Sequence, residues 1–120
     1  MYGEIDLESY TISIIRLNTA FQKLENSDSI QEVKTLLEES LDELEKLYRD
    51  IVDDLNNDEV NLNEYYMFFQ NGRQTFPQYI EALGNIENSA LQEVVNSLLN
   101  VFANLNKIAE GFSGEKINDI

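Results

Sequence analysis

The chain contains neither cysteine nor histidine nor tryptophan, and only one proline and five glycines punctuate its 120 residues. Without cysteine there is no disulfide and no thiolate metal ligand. Without histidine, the imidazole general base, the commonest zinc ligand and the Ser or Cys triads that depend on imidazole are missing too. The Glu-x-x-His pattern of di-iron helical proteins cannot be written in this alphabet. No Gly-rich phosphate loop or nucleophile elbow occurs, and Gly114-Glu115-Lys116 is a fragment without its loop. The longest apolar run is about five residues, against the ~20 that cross a bilayer, and the opening MYGEIDLESY is acidic where a signal peptide is basic. The expectation is a soluble, cytoplasmic protein that touches no membrane and carries no cofactor.

Positive charge is also scarce: 8 Lys and Arg stand against 23 Asp and Glu, a formal charge of -15. Nucleic acid and anionic lipid carry the same sign, so direct binding to either is disfavoured. What the sequence does have is apolar content, 42% of residues, with six Tyr and six Phe. That supplies enough burial to offset chain entropy in one domain. A single domain over residues 1–112 with a short polar tail at 113–120 is expected. The shortage of Gly and Pro and the abundance of Leu, Glu and Asn favour an all-α fold.

The apolar spacing divides the chain. Leu7, Tyr10, Ile14, Leu17, Phe21 and Leu24 step by three and four, the mark of one helix face. Polar Asn26–Asp28 interrupts, and Ser29-Ile30-Gln31-Glu32 reads as a capping box opening a second helix. Its face carries Ile30, Val33, Leu37, Leu41, Leu44, Tyr48, Ile51 and Leu55 before Asn56-Asn57-Asp58 closes it. Asn61 to Glu64 repeats the capping signature, and Leu62, Tyr65, Tyr66 and Phe69 share a face up to Asn71-Gly72, where a left-handed stop is expected. A short segment with Phe76, Tyr79, Ile80 and Leu83 follows, its start blurred by Pro77 and its end at Gly84. From Ser89, Leu91, Val94, Leu98, Val101, Leu105, Ile108 and Phe112 form a last helix, with a Schellman end at Gly111-Phe112. Short connections then imply an antiparallel four-helix-type bundle whose third element is broken into two short helices at Gly72–Pro77.

Charge is concentrated in the second helix, where Glu38, Glu39, Asp42, Glu43, Glu45, Asp50, Asp53 and Asp54 are followed by Asp58 and Glu59, ten acids in 22 positions. Three readings compete. The acids fall between the apolar positions, as a solvated outer face requires. They could form a docking surface for a basic partner, or mimic nucleic acid in a basic groove. They could hold Mg²⁺, with Glu39 and Glu43 one turn apart and Asp50, Asp53 or Asp54 from elsewhere. An EF-hand is excluded, because Asp53–Glu64 puts Leu55 at the third position and Asp58 where glycine is needed.

Two further stretches invite a function. Residues 64–79, EYYMFFQNGRQTFPQY, hold six of the twelve aromatics. On the helical reading Tyr65, Tyr66 and Phe69 face the core, whereas Met67 points away and Phe68 lies at the margin beside Arg73 on a glycine-hinged loop. Met67, Phe68 and Arg73 are thus the residues expected to meet a partner. Residues 94–106, VVNSLLNVFANLN, carry no charge. Either this helix is central and covered on most sides, or it pairs with a second subunit through Asn96, Leu99, Asn100 and Phe102, making a homodimer. The function expected is a non-enzymatic protein-interaction module of the adaptor, chaperone, immunity or inhibitor type, its partner basic or apolar. The alternatives are a nucleic-acid mimic that inhibits a DNA- or RNA-binding protein, and a Mg²⁺-dependent all-α nucleotide hydrolase. If Met67 and Phe68 lie outside the core, serine at both would leave folding nearly intact.

Overall fold

In the computed structural model the described residues are 7–26, 29–56 and 62–112, the side chains of 62–64 and 112 excepted. They form four helices and no strand: α1 (Leu7–Glu25), α2 (Ile30–Leu55), α3 (Leu62–Gly84) and α4 (Gln92–Phe112). The polar interruptions at Asn26 and Asn56 end α1 and α2 where the loss of apolar spacing predicted. The tail at 113–120 and the capping residue Asn61 lie outside the described residues.

Pairs along α1 and α2 give their direction. Lys23 meets Glu32, Arg16 meets Glu39, and the Ser40 hydroxyl donates to the Ser13 carbonyl at 3.1 Å, so α1 numbers fall as α2 numbers rise. The two helices are therefore antiparallel. Ser13, Ala20 and Ser40 are fully buried at this seam, and side chains this small let the backbones approach closely. The hydroxyls do not go unsatisfied, since Ser13 in turn donates to the Ser9 carbonyl at 2.9 Å. A second hairpin is made by α3 and α4. Backbone contact between the hairpins runs from α2 to α4, while α1 and α3 meet through side chains, the Tyr10 and Phe68 ring centroids lying 5.1 Å apart. The whole measures 50 × 25 × 19 Å.

The start of α2 differs from a capping box. Ser29 occupies the cap and its carbonyl accepts from Val33 N–H at 3.1 Å, but its side chain makes no capping bond. The other half of the box is also diverted, since the Glu32 carboxylate lies 3.2 Å from Lys23 across the hairpin. At α4 the cap belongs to Asn88, whose side-chain oxygen accepts from Ala90 N–H at 2.9 Å, while Gln92 turns forward to Asn96. Regular helix accordingly begins at Gln92, three residues later than Ser89.

The larger difference is α3, one helix of 23 residues with Pro77 inside it and no break at Gly72. Gly72 is buried and helical, and it is neither a stop nor a hinge. A Cβ built on it would stand 2.4 Å from the Phe76 ring, so the glycine is the space into which that ring folds. A proline in mid-helix removes one hydrogen bond and costs ~3 kcal/mol. Against that cost, Phe68, Phe69 and Phe76 are all buried on the core face, and full burial of a large apolar side chain is worth about 1.5–3 kcal/mol each. A break at 72–77 would pull those rings out of register, so packing overrides the local breakers.

Two substitutions test this account by urea unfolding. Gly72→Ala gains helix propensity of about 1 kcal/mol but collides with Phe76, and a net loss of roughly 1–2 kcal/mol is expected. Pro77→Ala, at an exposed position, restores the missing N–H and is expected to stabilise by about 1 kcal/mol or more.

Candidate functional site

The aromatic stretch divides differently from its sequence pattern. Phe68 is only 7% exposed, with ring centroids 5.1 Å from Tyr10, 5.2 Å from Phe69 and 6.0 Å from Phe76. It is core, and the expectation that it meets a partner fails because α1 brings Tyr10 over it. The same array continues through Phe76 to Phe102 at 6.1 Å, and Tyr79 stacks on Phe102 at 5.5 Å. Met67 does stand out, at 69% exposure, and Arg73 is exposed on a different side of the helix. The three residues therefore do not form one patch.

Phe102 is likewise fully buried, which removes it from any oligomer face. α4 touches both α2 and α3, so it buries a wide arc that takes in Val95, Phe102 and Ala109 as well as the Leu91-to-Leu105 seam. Leu99 is half-buried against the core, and only Asn96 and Asn100 are exposed. The absence of charge over 94–106 thus accompanies a helix covered on two sides.

The acidic residues of α2 do share its outer side: Glu38, Glu39, Asp42, Asp50 and Asp53 are exposed, and Glu43, Glu45 and Asp54 are half-buried. Arg16 reaches Glu39 at 3.8 Å, and the Tyr65 hydroxyl donates to Asp54 at 2.5 Å, tying α3 to the end of α2. Among the described residues no three carboxylates converge to hold a metal ion, and no helix is long and apolar enough to cross a membrane.

The sequence pattern also hid a surface. Ile12 and Ile15, 38% and 58% exposed, lie one turn apart on the side of α1 away from the Leu17 seam, and Leu7 is exposed as well. Between Ser9 and Leu24 α1 has no acid at all, although it packs against the most acidic helix. The legible signal was a pair of apolar residues three apart and off the core spacing.

Tyr10 closes the account of the aromatics. Burial raises its phenol above the usual tyrosine value, a hydrogen bond with the Thr75 side chain pulls the other way, and Tyr79 adds a smaller raising effect. A raised native value means that this residue's contribution to stability is complete below about pH 10, the value in the unfolded chain, and is lost as pH climbs beyond it. Measured by denaturation across that range, the stability difference between wild type and Tyr10→Phe should move in favour of Phe above about pH 10. Phe68→Ser is expected to cost about 3 kcal/mol or more and Met67→Ser less than about 0.5 kcal/mol, read from urea midpoints. No protein-family model matches the sequence, and neither the curated proteins nor the solved structures return a match to it.

Proposed function

We propose that the chain is a non-enzymatic protein-interaction module, an antiparallel four-helix bundle of the adaptor, chaperone, immunity or inhibitor kind, working in the cytoplasm on a partner that is basic or apolar. The observation that carries this reading is the segregation of its surface. α2 bears nine acidic and three basic residues, while the neighbouring α1 is free of acids from Ser9 to Leu24 and exposes Ile12 and Ile15. An acidic face attracts a basic partner over a Debye length, about 8–10 Å, and an apolar edge supplies the contact that persists once the two meet. Lack of histidine and cysteine weighs against covalent or imidazole chemistry.

Nucleic-acid mimicry is the weaker alternative. A duplex carries one charge per ~1.7 Å on two strands, and α2 presents its acids as one helix face. Of Glu4, Asp6 and Glu8, which would have to extend the array, the first two lie outside the described residues, and Glu8 stands alone and exposed in the first turn of α1. Within Ser9–Leu24, α1 adds no second row.

The test is cross-linked capture from the host's own extract with wild type, Ile12→Ser/Ile15→Ser, and Asp42→Asn/Glu45→Gln/Asp53→Asn. Wild type should retain a defined protein. The isoleucine variant should lose it through faster dissociation, and the charge variant should associate more slowly with a flatter salt dependence. Capture indifferent to both variants, or no capture accompanied by a monomer in light scattering, rules the reading out.

A further inference from the structure

At one end of the molecule a cleft of about 450 Å³ opens between the C-terminal turn of α1 and the connection from α3 to α4. Clefts of roughly 300–1,000 Å³ are the size that takes a compact ligand or a few side chains. Its floor is apolar, made of Phe21, Leu24, Ala82 and Ile86, all half-buried. Glu25 and Glu87 stand at the rim, both exposed, and neither has an ion-pair partner among the described residues. No lysine or arginine lines it. α1 and α3 both end here, at Glu25 and Gly84, and the carbonyl end of a helix carries partial negative charge. The N-terminal turn of α2 contributes no lining residue, and the approach to α4 contributes only the neutral amide of Asn88, whose side-chain oxygen already accepts from Ala90 N–H.

We propose that this cleft receives a short segment of a partner protein in which leucine or phenylalanine adjoins lysine or arginine; this rests on the reading of the chain as a protein-interaction module. The apolar side chain enters against Phe21, Leu24 and Ile86. The neighbouring cation lies between Glu25 and Glu87 and the two helix ends. The fit is one of charge complementarity, because an apolar segment flanked by acids would meet like charge at Glu25 and Glu87, the only charged residues that line the cleft.

The experiment uses the full ¹⁵N-labelled chain and a capped hexapeptide with two adjacent leucines flanked by lysines. Amide shifts should concentrate at residues 21–26 and 82–88. Glu25→Gln/Glu87→Gln, at exposed positions, should weaken binding about fivefold, and Ile86→Ser about tenfold. Peptides with serine for leucine, or glutamate for lysine, should not bind. Shifts centred on the outer face of α2, a double variant that binds as wild type does, or phenethylamine alone binding as tightly as the peptide would each overturn the proposal. In the host-extract capture, a partner retained equally by Ile86→Ser defeats the cleft while leaving the module intact. A wild type that captures nothing and is a monomer in light scattering defeats both.

Discussion

The ring of Phe76 folded onto the backbone of Gly72 is the contact around which the second hairpin is built. It needs a residue without a Cβ one turn earlier, and it holds α3 helical on both sides of Pro77. From that ring the packing runs outward, through Phe68 to Tyr10 on α1 and through Phe102 to Tyr79. One aromatic array thereby joins three helices, and it fills the gap between α1 and α3 that their backbones do not close.

The limits of α1 and α2 were legible because polar clusters end an unambiguous three-four spacing. α3 was misread for a physical reason: glycine and proline are local breakers, and the sequence alone cannot show that a glycine exists to admit a ring from the next turn. Phe68 and Phe102 were misplaced for another. A single seam describes a helix with one neighbour, whereas α3 meets α1 through rings as well as α4, and α4 meets both α2 and α3. Positions at the seam's margin then become core. The same habit of following the seam concealed Ile12 and Ile15. The cleft at Phe21 and Ile86 was beyond reach, because it depends on which loop stands beside the end of α1.

Charge and packing are arranged together. The two bases of α1, Arg16 and Lys23, both reach acids of α2, relieving repulsion along that helix at the hairpin edge. Exposed pairs of this sort contribute only about 0.2–1 kcal/mol each, so the hairpin is held chiefly by burial of Leu17, Leu37, Leu44 and Ile51 and by the fitted serines. Acidity is therefore a property of the surface, and little of the fold depends on it.

The division into two hairpins has a consequence for how quickly the structure is found. Each hairpin joins helices adjacent in sequence, α1 to α2 and α3 to α4, so its loop closes at small entropic cost. Only the α2–α4 contact and the aromatic array must gather residues far apart along the chain. A topology so dominated by contacts between consecutive helices belongs among fast folders, and the long-range search is confined to seating α2 on α4 and Tyr10 among the rings of α3.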